Sequence, residues 1–128
     1  VGALDMVNFG ERDTVPSQYS NRTFYPHNPQ VTLMRTTPDE NRLFGSWMAK
    51  KLNQSKRPIR ILIPEKGVSL LDDEGQPFHD PEADLALFQS LETQIQQTSD
   101  RRVKRMANNI NDPAFARALV EAFKEVGG

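Results

Sequence analysis

The chain has 128 residues, of which 37% are hydrophobic, and a formal net charge of −1. This length suits one domain, which we assign to residues 1–128. The near-neutral charge gives no global field to attract nucleic acid or anionic lipid, and the lack of cysteine in the sequence excludes disulfides and thiolate metal sites. Without an apolar run of about 18 residues or a signal peptide, the sequence predicts no membrane contact and a cytoplasmic location.

The chain opens at Val1 and runs at once into a strand-like stretch at 3–7. We therefore expect it to be a segment of a longer protein. Residues 10–30 follow, with three prolines and no clear hydrophobic period, and this predicts a long irregular loop with at most one helical turn. A loop of this length usually has a function or packs on a partner.

Three helices are predicted by one device that recurs along the chain. Thr37, Asp80 and Asp112 are each followed by proline, which places a capping residue before a proline at the first helical position. Glu40 completes a capping box with Thr37. Apolar residues at helical spacing follow each cap, and the stripe that includes Trp47 predicts a core-facing side, with a subunit or domain interface as the alternative.

Extended runs lie before these helices, at 31–34, 59–63 and 102–106. Together with the run at 3–7 they give strands that alternate with helices. This order predicts an α/β fold with a three-layer, mostly parallel four-stranded sheet and three helices.

Polar residues follow each predicted strand, and in a parallel sheet these strand ends meet at one edge, where ligands bind. We therefore predict a ligand site there and no metal site. Its candidate residues are Asn8, Gly10, Arg35, Thr36, Thr37, Glu65, Lys66, Gly67, Ser69 and Asn111.

Two of these stretches suggest anion binding, and each has a plainer interpretation. Arg35 precedes a helix N-terminus, where backbone N–H groups favour an anion, but it could equally pair with Asp39 or Glu40. The sequence from Glu65 to Ser69 could cradle a phosphate, although it lacks the spacing of a P-loop and could be a solvated turn with a Glu65–Lys66 pair.

Other polar residues favour structural roles. The acidic stretch 72–75 fails the calcium-loop pattern and predicts a solvated turn. His27 and His79, the two histidines of the sequence, are more typical of loop hydrogen bonding than of general-base catalysis.

Six sequence blocks resemble one family. They are GALDMVNFG at 2–10, HNP at 27–29, VTLMRTTPDENR at 31–42, PEKGVS at 64–69, DPEAD at 80–84 and INDPAF at 110–115. The chain is similar to the uncharacterised bacterial and fungal family related to the tomato mosaic virus resistance protein, known as the resistance-protein-like ATP-binding domain family. The resemblance implies two Rossmann-like lobes, with this chain as the C-terminal part of the second, a half-lobe, and ATP with magnesium bound by the full-length protein.

Three functions remain open at this stage. The first is a ligand-binding lobe for ATP or another phosphorylated or carboxylated small molecule. The second is an interaction module that docks its own N-terminal lobe or forms a homo-oligomer. The third is an enzyme that acts on a small anionic metabolite, with Glu65 or His27 as acid or base; no catalytic residue is specified by the sequence, and we expect no demonstrable activity from this segment alone.

Overall fold

A computed structural model describes residues 1–127. Within these residues there are five strands and three helices, in the order β1 Met6–Phe9, β2 Phe24–Asn28, β3 Val31–Arg35, α1 Pro38–Asn53, β4 Ile59–Pro64, α2 Pro81–Gln94, β5 Arg101–Met106 and α3 Pro113–Gly127. Two short 3-10 turns, Arg12–Thr14 and Ser17–Tyr19, lie between β1 and β2.

The three helices begin at the predicted prolines. At α1 the backbone N–H of Glu40 donates to Thr37 Oγ1, and the Thr37 N–H donates back to Glu40 Oε2 at 2.8 Å, which completes the predicted capping box. At α2 the N–H of Ala83 donates to Asp80 Oδ1 at 3.0 Å. These contacts satisfy N–H groups that a helix leaves unpaired at its start.

The prediction of a mostly parallel four-stranded sheet in three layers is wrong. The described residues form a three-stranded antiparallel sheet, in the order β1-β3-β2, and a separate two-stranded parallel sheet of β4 and β5. Neither β1 nor β2 reaches β3 through a crossover helix, and such a helix is what parallel neighbours require. The alternation of strands and helices along the chain therefore predicted the wrong strand partners.

Strand β2 lies inside the segment that we predicted to be an irregular loop. It pairs with β3 through a tight turn, in which the Gln30 N–H donates to Asn28 Oδ1 at 2.9 Å. Pro26 stands in the middle of this strand, a position that only an edge strand tolerates, because proline donates no ladder hydrogen bond. The proline and the exposed polar residues hid the strand from pattern analysis.

Helices α1 and α2 pack against each other beside the β4–β5 sheet. Their core contains Ala49, Ile61, Ile63, Val68, Leu87, Phe88, Leu91 and Ile95. Phe44 and Met48 are half-buried against this core, but Trp47 is 64% exposed, so the prediction of a core position is wrong for Trp47. The face of α1 that meets α2 is narrow and built on Gly45 and Ala49, and the Trp47 side chain lies outside it.

Candidate functional site

The polar residues predicted at the ends of the strands do not all meet, because β1 runs antiparallel to β3. Asn8 lies opposite Leu33, and the Gly10 carbonyl accepts from the Thr32 N–H at 3.0 Å. Arg35 lies at the other end of the same ladder, opposite Met6. Asn8 and Gly10 are thus separated from Arg35 by the length of the strand, and the expected single edge of polar residues does not form.

The loops that follow β4 and β5 do converge, because these two strands are parallel. The Lys66 N–H donates to the Asn108 carbonyl at 3.1 Å, and the Ile110 N–H donates to the Gly67 carbonyl at 3.0 Å. Asn109 is buried between the loops and its side-chain amide donates to the Ser69 carbonyl at 3.0 Å. The two loops are therefore one hydrogen-bonded unit.

Gly67 is required at the centre of this unit. Its φ of +130° is in a region that residues with a side chain rarely adopt. A Cβ atom there would lie 2.7 Å from Asn109 Nδ2 and 3.0 Å from the Asp72 carbonyl oxygen. The glycine thus allows the close approach of the two loops, and no ligand contact is needed to explain it.

A cavity of about 590 Å³ lies between the antiparallel sheet and these loops. Its wall is mostly apolar, and a few polar side chains interrupt it at Tyr25, His27, Ser69 and Asn111. The full lining consists of Gly2, Ala3, Met6, Tyr25, His27, Leu33, Val68, Ser69, Leu70, Leu71, Ile110 and Asn111. No lysine or arginine of residues 1–127 is in this lining.

Ser69 is held at the cavity wall by a buried carboxylate. Its hydroxyl donates to Asp5 Oδ2 at 2.6 Å and accepts from the Leu71 N–H at 3.1 Å. Asp5 is fully buried, and within the part of the chain that the structure describes its Oδ1 atom has no hydrogen-bond partner. The serine side chain is therefore fixed in one orientation.

Arg35 lies inside the protein, not at a surface anion site. Its Nε atom donates to the Phe78 carbonyl at 2.8 Å, and its Nη2 atom donates to Asp72 Oδ1 at 2.8 Å and to Asp84 Oδ1 at 2.7 Å. The alternative partners that the sequence suggested, Asp39 and Glu40, are not its partners. Instead, Glu40 pairs with Arg22 through Nη2 and Oε2 at 2.6 Å.

Thr36 and Thr37 also bond within the protein. The Thr36 hydroxyl donates to the Leu4 carbonyl at 2.7 Å and accepts from Asn41 Nδ2 at 2.9 Å. Thr37 caps α1. The polar atoms of the 35–37 stretch thus have partners inside the fold, and a ligand role for these residues stays a prediction.

The two carboxyl groups beside Arg35 have shifted pKa values. Burial raises the pKa of Asp72 to about 7. The Val68 N–H, which donates to Asp72 Oδ2 at 2.8 Å, is the strongest of the effects that lower this pKa, and it offsets the burial only in part. Burial likewise raises the pKa of Asp84. Because two buried carboxyl groups face one guanidinium, holding one proton between them leaves the cluster near neutrality. The prediction of a solvated turn is wrong for Asp72.

Glu65 and Lys66 are exposed and line a different, smaller pocket of about 240 Å³, together with His79 and Arg105. Glu65 pairs with Arg105 at 3.4 Å, and the guanidinium of Arg105 also binds Glu92 at 2.7 Å. This pocket shares no lining residue with the larger cavity. Of the predicted ligand residues, the larger cavity therefore includes Ser69 and Asn111 alone.

The sequence did not predict most of the cavity wall. Tyr25, His27 and Leu33 come from the β2–β3 hairpin, and β2 lies in the segment that was predicted to be an irregular loop. The alternation of Tyr25 and His27 along one face was a weak signal, which the neighbouring Pro26 obscured. Asp5 and Asp84 gave no pattern that pointed to burial.

Residues 1–127 contain neither a membrane-spanning helix nor a cluster of metal ligands. No helix in this range is long and apolar enough to cross a membrane. Over the same range, no three His, Cys, Asp or Glu side chains come together in a way that could hold a metal ion.

Comparison with known proteins gives a consistent result along the whole chain. The model of a family described as "Uncharacterised protein family (UPF0261) C-terminal domain" matches residues 1–127. A UPF0261 protein of Rhizobium meliloti is 55% identical over 126 residues, which are 98% of this chain and 32% of the relative. A UPF0261 protein of Clostridium tetani is 47% identical over 94% of this chain and 30% of its own length.

A plant protein is also similar. The ToMV resistance protein Tm-1(GCR237) of Solanum lycopersicum is 45% identical over 98% of this chain, which is 17% of the plant protein. The chain thus spans about a third of the length of these bacterial relatives and less of the plant protein.

Proposed function

The chain belongs to the UPF0261 family as its C-terminal domain, and we propose that this domain binds a small molecule in the cavity between its antiparallel sheet and the loops that follow β4 and β5. Ligand binding is the function that the sequence predicted, but of the predicted ligand residues Ser69 and Asn111 alone line this cavity. In the longer family members the remaining two thirds of the protein can complete or cover this site.

The observation that supports the proposal is the cavity itself. Its volume of about 590 Å³ is in the range of small-molecule sites, and its wall combines apolar side chains with a few fixed polar groups. Ser69 is fixed by Asp5, and Asn111 is fixed through its N–H, which donates to Asn109 Oδ1 at 2.9 Å. Polar groups held in this way select the orientation of a ligand at little entropic cost.

The lining also indicates which part of a ligand lies inside. An apolar wall without lysine or arginine among residues 1–127 disfavours a buried phosphate or carboxylate, because a buried charge needs a partner. An uncharged ring with hydrogen-bonding edges fits better, next to Tyr25 and His27. We therefore propose a nucleoside-like ring inside the cavity, with the charged part of the ligand outside.

ATP with magnesium is the first ligand to test, since it combines such a ring with an anionic part. The phosphates would then contact groups outside the cavity, in this domain or in the rest of the protein. Adenosine provides the matched ligand without phosphates.

The test is calorimetric titration of the full-length protein with ATP and magnesium, and with adenosine. Leu70 lines the cavity and is 66% exposed, so Leu70→Trp adds bulk at the ligand site without disturbing the core. Leu43, which is 69% exposed on α1 and outside the cavity, gives the matched control Leu43→Trp. We expect Leu70→Trp to weaken binding of both ligands at least tenfold and Leu43→Trp to leave it unchanged.

Two results would count against the proposal. Equal affinity in wild type and Leu70→Trp would show that the ligand binds elsewhere. No binding of either compound to the wild type would reject the nucleoside class. The histidines give a further comparison, because His27 lines the cavity and His79 does not; His27→Ala should weaken binding more than His79→Ala.

A further inference from the structure

Ser69 and Asn111 have hydrogen-bonding capacity that the fold does not use. Both residues line the cavity. Both are also joined to the buried amide of Asn109, which donates to the Ser69 carbonyl through Nδ2 and accepts from Asn111 through Oδ1. The two residues therefore lie side by side on one part of the cavity wall.

The amide of Asn109 is held in one orientation by its partners. Its Nδ2 atom faces the Lys66 and Ser69 carbonyls, at 3.4 and 3.0 Å, and carbonyl oxygens can only accept. Its Oδ1 atom consequently faces Asn111, and accepts from the Asn111 backbone N–H at 2.9 Å and from Asn111 Nδ2 at 3.1 Å. The Asn111 amide is fixed in turn, and its Oδ1 atom and one N–H of its Nδ2 atom stay free for a ligand.

Ser69 offers a ligand an acceptor and no donor. Its hydroxyl proton is directed at Asp5 Oδ2, and the Leu71 N–H takes one of the two lone pairs of its oxygen. One lone pair remains. Together, Ser69 and Asn111 thus present two acceptors and one donor.

The rest of the wall does not change this pattern. Two backbone N–H groups of the lining are used within the fold, since Ala3 donates to the Val68 carbonyl at 2.8 Å and Ile110 donates to the Gly67 carbonyl at 3.0 Å. Tyr25 and His27 do not discriminate between ligands, because a phenol can donate or accept and a neutral imidazole can change its tautomer. Selection between rings of equal size is therefore left to Ser69 and Asn111.

On the basis of the ligand site proposed above, we propose that the cavity selects rings with an amino group beside an unprotonated ring nitrogen, as in 6-aminopurines and 4-aminopyrimidines, over rings with a carbonyl beside a ring N–H. The amino group and its neighbouring nitrogen present two donors and one acceptor, which match the free groups of Ser69 and Asn111 one for one. A carbonyl beside a ring N–H presents a single donor. One acceptor of the wall would then lose its water without a replacement, which weakens binding.

Adenosine and inosine are the matched probes, because they differ only at these two neighbouring ring positions. Calorimetric titration of the full-length protein should show adenosine bound about tenfold or more tightly than inosine. This comparison uses the wild type and so does not depend on the folding of any variant. Equal affinities, or tighter binding of inosine, would overturn the proposal.

The same titrations separate this selectivity from the ligand site on which it rests. Equal affinities that Leu70→Trp lowers for both nucleosides would keep the cavity as the ligand site and reject only its preference for the amino group. Binding of neither nucleoside to the wild type would reject the proposed function, and the preference with it.

Asn111→Ala tests which residue determines the preference. In this variant Asn109 Oδ1 still accepts from the backbone N–H of residue 111, so the melting temperature should stay within about one degree of wild type. The preference for adenosine over inosine should fall by about threefold or more. Asn21→Ala, at an exposed residue outside the cavity, is the control and should keep the wild-type preference. An unchanged preference in Asn111→Ala would contradict the role of Asn111.

Discussion

At the scale of single residues, the cluster of Arg35, Asp72 and Asp84 couples burial to protonation. Burial raises the pKa of Asp72 to about 7, far above its ordinary value near 3.8. Between these two pH values the folded protein retains a proton that the unfolded chain has released. Stability therefore decreases as the pH rises through this window, and the contribution is constant above it.

Replacing Asp72 with asparagine should remove most of this pH dependence, because the amide cannot titrate and its oxygen can still accept from the Val68 N–H. Urea unfolding at pH 5 and at pH 7.5 measures the effect. We expect wild type to lose stability relative to Asp72→Asn over this interval. Asp73→Asn, at the neighbouring half-buried residue, is the control and should follow wild type; a parallel shift of all three proteins would contradict the assignment.

At the scale of secondary structure, the contact between α1 and α2 depends on Gly45. This glycine stands in the middle of a helix, where it costs about 1 kcal/mol relative to alanine. Its position is explained by α2: a Cβ atom would overlap the Cβ of Ser90 and lie 3.0 Å from the Leu87 carbonyl oxygen. Close packing at this point thus outweighs helix propensity.

Gly45→Ala should therefore destabilise the protein by about 1–3 kcal/mol, although alanine is the better helix former. The double variant Gly45→Ala/Ser90→Gly removes the side-chain overlap and should recover part of the loss. Chemical denaturation of the two variants and of Ser90→Gly alone completes the cycle. A Gly45→Ala protein more stable than wild type would show that the helices can move apart at no cost.

Helix starts were predictable from the sequence because a cap and a following proline act within one turn. The strands predicted at 31–34, 59–63 and 102–106 were close to β3, β4 and β5, because each was predicted from a short run of neighbouring residues. β2 was missed, since the local cues of Pro26 and exposed side chains oppose a strand, and only pairing with β3 stabilises it.

At the scale of the whole molecule, Arg35 connects parts of the fold that are distant in sequence. It ends β3 of the antiparallel sheet, and its guanidinium bonds to the loop residue Asp72 and to Asp84 of α2. Because Asp84 belongs to a helix of the β4–β5 core, the two sheets are linked through this side chain. Its loss would leave two buried carboxyl groups without a cation.

Arg35→Met should destabilise the protein by about 3–5 kcal/mol, the range for removing one partner of a buried ion pair. Arg35→Lys keeps the charge but not the forked geometry, and its loss should be smaller. The destabilisation of Arg35→Met should also shrink at acid pH, where both aspartates are protonated. A loss below 1 kcal/mol at neutral pH, measured by urea unfolding, would show that the cluster does not hold the sheets together.

The candidate site shows the same division between local and distant information. Ser69 and Asn111 were predicted from strand ends, and they do line the cavity, because β4 and β5 are parallel as that reasoning assumed. Asn8 and Gly10 lie at the C-terminal end of β1, as predicted, but this end is away from Arg35, since β1 pairs with β3 in the antiparallel direction. Arg35 was predicted to face a ligand, and its buried partners are 37 and 49 residues away in sequence.

The sequence by itself determined where the three helices begin, the family to which the chain is similar, and the loops that carry Ser69 and Asn111. These features depend on residues within a few positions of one another or on recognisable blocks. The tertiary structure alone decided which strands pair, in which direction they run, where the cavity lies and which carboxyl groups surround Arg35. Those features depend on contacts between distant segments, whose free energies come from burial and pairing and leave no regular spacing in the chain.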